Sequence, residues 1–384
     1  MNPLSETVDV VVIGAGVAGL SAAAQIARSA SVLVVEMELS PSHHSTGRSA
    51  AIYLPTYGPP NVRRLTAASA HFFHTANDGR SPTSLVSPRG VLYVADAAGE
   101  SSLQALAASM GEAGGQLEMV GADEARRRCP ALRPNWVIAG GLDHEALDID
   151  VAATVATYRL DLVARGGKIR TDHRVTGLDR QRHGWTVTTT AGTISAGVIV
   201  NAAGAWVDKI ADLAGLERIG FMPKRRTMGI GPAHSDDDVG PHFVAHVDMD
   251  FYFGGEHGDV MFSPADETPS EPTDARPEEI DLALAIERIN EATTLGLRSV
   301  RQSWAGLRTF SPDGDLVIGP DPTDDAFIWC GGQGGYGIHT SAGAAMATAA
   351  LTLGNPLPQE LLDVGLRAPD LVPRLARSPR SPEI

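Results

Sequence analysis

Apolar positions along this chain fall into three patterns, and each predicts a different kind of element. Short, mostly apolar runs, Val8 to Ile13, Val32 to Glu36 and Val198 to Val200, read as strands buried on both faces. Alternation marks a second group, KIRTDHRVTGLDRQ, GWTVTTT and GTISAGVIVNAAGAW, followed by antiparallel strands and turns from Phe221 to Pro264. Helical spacing marks a third. It predicts helices over Val17 to Arg28, over RRLTAASAHFFHTA, and over ATVATYRLDLVARGG with Gly166 and Gly167 closing its end. Another runs from Pro277 to Ala292, with proline and Glu278 and Glu279 in its first turn. The stretch from Arg63 to Arg133 reads as a helical, polar insertion, and Ala265 to Ala275 as an acidic, solvated connector. No internal repeat is visible.

The first strand, first helix and second strand form a βαβ unit whose turn is Gly14-Ala15-Gly16-Val17-Ala18-Gly19, with Glu36 closing the second strand. Gly14 suits the tight turn, Gly16 a close approach of backbone to a pyrophosphate, and Gly19 close packing of helix on sheet. Glu36, about 20 residues on, can accept the hydroxyls of a ribose. Strand, helix and acid together predict a dinucleotide site; they do not separate FAD from NAD.

Composition narrows the rest. At 384 residues two structural units are expected, and 43% hydrophobic with 20% charged residues describes a globular α/β enzyme. A net charge of -15 argues against a nucleic-acid partner. Three lysines stand against 28 arginines, so an arginine here carries less functional weight than usual. Cys129 and Cys330 are far apart with no CxxC, which predicts neither a disulfide framework nor a metal site. The first residues lack a basic segment, and no apolar run is long enough to span a membrane. A cytoplasmic location is expected, with membrane contact at most peripheral.

Four later motifs, NAAGAW, WAGLRTFSPDGDLVIG, GGQGGYGIHTSAG and HSTGRSAA, stand in register with the fingerprint. With them the chain resembles the D-amino-acid oxidase-like family of FAD-dependent oxidoreductases, over nearly its whole length. PKRR, FYF, WAGLR and QGGYGI together look most like the D-arginine dehydrogenase branch. The resemblance implies non-covalent FAD and a Rossmann-like FAD-binding domain of residues 1–58, 140–218 and 297–368. It also implies a discontinuous α+β substrate domain, 59–139 and 219–296, built on an antiparallel sheet, with a disordered tail from 369 to 384. Beside Gly14, Gly16, Gly19 and Glu36, the expected cofactor residues are Ser49 and Ala50 against the flavin, Val175, Ala203, Gly204, Gly306, Gly334, Gly335, Tyr336, Gly337 and Ile338. Ser45, Thr46 and Arg48 are expected to serve the phosphates or to hold the loop. A helix starting near Gly334 would aim its amino end at the flavin, stabilising negative charge there.

For the substrate, the resemblance puts Arg308 on the α-carboxylate, held bidentately. PKRR offers Arg225 and Arg226, which point to opposite faces of a strand; register with the branch selects Arg225. Tyr252, between Phe251 and Phe253, and Tyr57 are expected to face the substrate, and Tyr53 to pack. His339 is expected near flavin or substrate, with its role open. The implied reaction removes the α-hydrogen of a neutral amino acid as hydride to flavin N5, after which the imino acid hydrolyses to keto acid and ammonia. The basic-substrate branch has an acid after SPR. Here Gly90, Val91 and Leu92 follow, and with Ile52 and Leu54 the position of Val91 predicts a neutral, apolar D-amino acid. A 2-hydroxy-acid dehydrogenase and a non-catalytic flavin-binding protein are the alternatives, and the electron acceptor, a quinone or oxygen, stays open.

Overall fold

The computed structural model describes residues 6–75, 84–234 and 238–373. The short apolar runs build its first sheet. Glu6–Ile13 pairs in parallel with Val32–Val35 on one side and with Gly192–Asn201 on the other. Phe327–Gly331 extends it in parallel beyond Asn201, and Val175–Gln181 and Gly184–Thr189 add an antiparallel edge. Alternation along each strand divides the core. Val10, Val12 and Val34 pack under the helix Val17–Ile26, while Val11, Ile13 and Leu33 pack with Trp185 and Trp329 on the opposite face. Both faces are covered, which is why these strands carry no polar alternation.

A second sheet of nine strands is built around Met222–Gly231. That strand runs antiparallel to Gln302–Phe310 along its whole length, from Met222 opposite Phe310 to Ile230 opposite Gln302. Its other neighbours are Asp259–Ser263 and Thr268–Pro269. A small third sheet joins Ile52–Tyr53, Leu147–Ile149 and Val86–Pro88.

Several expectations need correction. The stretch from Arg63 to Arg133 is not only helical: Val91–Ala95 and Glu118–Gly121 join the second sheet, and Val91–Ala95 pairs in parallel with Phe243–His246. Ala139–Asp143 and Gln302–Phe310, expected inside FAD-binding segments, are hydrogen-bonded into the second sheet. Ala265 to Ala275 is not a free connector, because Asp266 accepts from the Thr227 amide at 2.6 Å and Asp274 pairs with Arg48. The helix expected from Gly334 begins only at Ser341, after a turn in which Gly334 has φ +48°. Part of the expected tail is ordered, since Ala368–Leu371 forms a helical turn that buries Leu371. Residues 374–384 lie outside the described ones. Among the described residues no helix is long and apolar enough to cross a membrane.

Candidate active site

The glycine fingerprint folds as its spacing requires. A Cβ on Gly19 would lie 1.9 Å from the Gly14 carbonyl oxygen, so only glycine lets helix and strand meet there. Glu36 is buried, and its two carboxylate oxygens accept from the amides of Ala15 at 2.7 Å and Glu38 at 3.0 Å. It lines a cavity of about 270 Å³ together with Gly14, Gly16, Val175, Ala203 and Gly204. A second cavity, of about 220 Å³, continues from it: Gly16, Ser45, Thr46, Ala202 and Gly204 line both.

The loop HSTGRSAA sits where the two cavities join, and the structure divides its roles. Thr46 Oγ1 accepts from the Val17 amide at 3.0 Å, at the start of the first helix. Ser45 Oγ donates to the Leu307 carbonyl at 2.6 Å. Arg48 donates to the carbonyls of Ala275 and Ala305 and pairs with Asp274, so its charge is spent on tying the loop down. Ser49 and Ala50 line the second cavity, as do Gly306, Gly334, Gly335, Gly337 and Ile338. Tyr336 is not among the lining residues; its ring lies behind, against Phe310, Tyr57 and His339.

Arg308, Tyr252 and Tyr57 come together in this second cavity. The Arg308 guanidinium lies against the backbone of Gly335, where a Cβ would be 3.0 Å from Cζ. Among the described residues no carboxylate or carbonyl takes it. Burial works against its charge, but the Tyr57 and Tyr252 hydroxyls and Glu267 outweigh this and hold its pKa above the ordinary arginine value. Glu267 is itself engaged, by Lys224 at 2.9 Å and Arg226 at 3.3 Å. Tyr252 is buried, and its hydroxyl rests on Met228 Sδ at 3.0 Å, a weak acceptor that is readily exchanged for a better one. Tyr53, as expected, packs in the core, with its hydroxyl donating to the Thr66 carbonyl.

Arg225 does not enter the cavity; Arg226 does. The period-two logic holds, and register decides the face. Arg226 lies opposite Gly306, two residues from Arg308 on the neighbouring strand, so Arg226 and Arg308 share a face as diagonal neighbours. Arg225 lies opposite Leu307 on the other face, where it pairs with Glu278, with Asp281 at 2.8 Å and with Asp266 at 3.7 Å. Arg226 Nε donates to the Asp266 carbonyl at 2.8 Å, its guanidinium stands 5.8 Å over the Tyr252 ring, and its Nη1 is buried without a partner.

The remaining wall is apolar. Ile52, Leu54 and Val91 line it, joined by Met228, Phe243, Ala245 and Met249, which local sequence did not single out. Tyr93 also lines it, two residues along the strand from Val91 and so on the same face. Among the described residues no aspartate or glutamate lines the cavity. Asp143, opposite Val91 in register, is not among the lining residues; its carboxylate accepts from the Glu145 amide at 2.9 Å. His339 lines the cavity as well, 3 % exposed, and burial lowers its pKa to about 4; the Ile52 carbonyl opposes that shift and Arg308 adds to it. Three lining residues, Arg226, Gln333 and His339, carry buried polar atoms without partners. Each costs about 1–3 kcal/mol unless a ligand supplies the missing bond, so their convergence marks a binding site.

Residues 9–351 match the family of FAD dependent oxidoreductases described as DAO. The chain belongs to this family. A FAD-dependent oxidoreductase domain-containing protein 1 of Xenopus laevis is 22% identical over 402 residues, covering 90% of this chain and 79% of that one. L-proline dehydrogenase from P. horikoshii superposes with a TM-score of 0.79 at 21% identity, covering 93% of this chain and 96% of the other. Glycine oxidase from Geobacillus kaustophilus does so at 0.78 and 18% identity, covering 91% and 96%. These likenesses establish the fold. FAD is the family's cofactor, and the residues present fit it. The continuous pair of cavities gives an elongated dinucleotide a path from Glu36 past the start of the first helix to Arg308, and a Cβ placed on Gly204 would meet open space within it.

Proposed function

We propose that this FAD-dependent oxidoreductase oxidises an α-amino acid of the D series with a neutral, apolar side chain, releasing a 2-keto acid and ammonia after hydrolysis of the imino acid. The observation that carries this reading is the guanidinium of Arg308, set against the Gly335 backbone with no carboxylate in contact, in a cavity that no carboxylate of the described residues lines. A substrate α-carboxylate supplies the missing partner. Arg226 replaces Arg225 as the second cation, and Tyr252 exchanges its bond to Met228 for one to the carboxylate. Tyr57 closes the same end. Bound non-covalently, FAD supplies the hydride acceptor; the protein's task is to fix the Cα–H bond toward it, which two planar donors on one carboxylate achieve. The cavity demands no strong base, because the nitrogen lone pair of a neutral amine drives hydride departure.

Side-chain preference rests on the uncharged wall around Val91, Ile52, Leu54 and Met228, where a substrate guanidinium or ammonium would be buried unpaired. The D configuration rests on the likeness of HSTGRSAA, WAGLR and QGGYGI to the D-arginine dehydrogenase branch. Anaerobic mixing of the holoenzyme with D-amino acids, L-amino acids and 2-hydroxy acids tests both parts. Bleaching of the flavin absorbance by apolar D-amino acids is expected. Faster bleaching by L-amino acids, by 2-hydroxy acids or by D-arginine overturns the corresponding part.

A further inference from the structure

His339 stands at the end of the turn that leads into Ser341–Thr352, and its surroundings fix its chemistry. The ring lies parallel to Tyr336 at 5° with centroids 6.3 Å apart, and Tyr57 meets it edge-on at 6.3 Å. Nδ1 is 3.3 Å from the Ile52 carbonyl oxygen. A carbonyl only accepts, so Nδ1 carries the proton and Nε2, on the other side of the ring, presents a lone pair. That Nε2 is buried and has no partner.

The side chains around the substrate volume are otherwise poor in acceptors. Arg226 and Arg308 only donate, the hydroxyls of Ser45, Thr46 and Ser49 are held by backbone around the cofactor loop, the tyrosine hydroxyls serve the carboxylate end, and the apolar wall offers nothing. A substrate amine and carboxylate share one carbon, so whatever receives the amine must lie close to Arg308. His339 lines the same cavity as Arg308. Gln333 Oε1 is a second buried acceptor without a partner, but the Gln333 amide is turned toward Cys330 Sγ, and its side chain lacks the stacking and carbonyl contact that immobilise His339.

We propose that His339 Nε2 accepts an N–H of the substrate's neutral amine, and so distinguishes an α-amino acid from a carboxylate of the same shape without one. The inference rests on the functional reading above. The hydrogen bond leaves the nitrogen lone pair free to expel hydride, and the depressed pKa of His339 keeps its own lone pair available throughout the neutral range.

The test uses the holoenzyme and two achiral ligands that cannot be oxidised, 2-aminoisobutyrate and pivalate, which differ in exchanging an amine for a methyl. Affinities are read at alkaline pH by calorimetry and by perturbation of the flavin spectrum. H339L is expected to weaken 2-aminoisobutyrate about tenfold, as loss of one buried hydrogen bond does, and to leave pivalate within about twofold. H339Q, which restores an acceptor, recovers most of the loss. Equal weakening of both ligands by H339L, no weakening of either, or the same selective loss in Q333L but not in H339L overturns the proposal. Pivalate bound equally well by R308M overturns instead the functional reading beneath it.

Discussion

Arg225 and Arg308 sit on neighbouring strands of one sheet and face opposite sides of it. Arg225 meets three carboxylates, those of Glu278, Asp281 and Asp266. Among the described residues Arg308 meets none, although it lines the cavity and lies against the Gly335 backbone. In a chain with 28 arginines, residue type says little, and the balance of charge around each guanidinium says much. A cation whose desolvation is compensated from within the fold belongs to the fold. One that no carboxylate touches keeps its donors for an anion from outside.

The comparison breaks most visibly if the two arginines are removed in turn. R308M is expected to lower kcat/KM for the best amino acid by about three orders of magnitude, the loss of two charge-assisted hydrogen bonds, mostly through KM. Its thermal midpoint should hold, because no carboxylate loses a partner. R225M should do the reverse. Deleting it strands Asp281 and Asp266 at a cost of about 3 kcal/mol or more, read as a lower urea midpoint, while kcat/KM stays within a few-fold. A loss of activity in R225M comparable to that in R308M would remove the distinction.

The apolar wall sharpens it further. Val91 is 2% exposed and stands beside Phe243 in register, and no acid is among the described residues that line the cavity. V91E puts a carboxylate there. The ratio of kcat/KM for D-arginine over an apolar D-amino acid is expected to rise about a hundredfold, as a buried cation gains a partner and an apolar side chain loses its contact. An unchanged ratio means that substrate side chains lie elsewhere.

What could be read from sequence follows the same division between local and non-local causes. The fingerprint turn, its acid and the buried runs are local patterns, and they fold as their spacing dictates. Period two also showed that only one of Arg225 and Arg226 enters the cavity. It could not show which, because the choice depends on pairing with Gly306 and Leu307 some eighty positions away and on acids delivered by the segment 266–281. Val91–Ala95 was missed for a related reason, since its partner in parallel is Phe243–His246, a pairing that no neighbouring residue announces. Tyr93, Met228, Phe243 and Met249 became site residues only once those strands were placed. The start of the last long helix was read too early because its glycines were taken as part of the helix, whereas Gly334 has the positive φ of a turn.

His339 carries the comparison from arginines to a neutral group, and the effect expected is the smallest. Folding lowers its pKa from 6.5 to about 4, chiefly by burial, with Tyr336, Tyr57 and Arg308 around it. In the unfolded chain the ring takes up a proton as pH falls below 6.5; in the folded chain it does so only near 4. Its contribution to stability is therefore complete above the unfolded value and is lost as pH falls toward the folded one. Between pH 7 and pH 5 this amounts to about 2 kcal/mol. Urea unfolding of the wild type and of H339L at both pH values measures it, and subtracting the two proteins cancels the other groups that titrate over the range, His242 among them. Wild type should lose about 2 kcal/mol more than H339L. An equal loss would mean that the imidazole is hydrated or already charged in the fold, and a charged ring beside Arg308 has no lone pair to offer an amine.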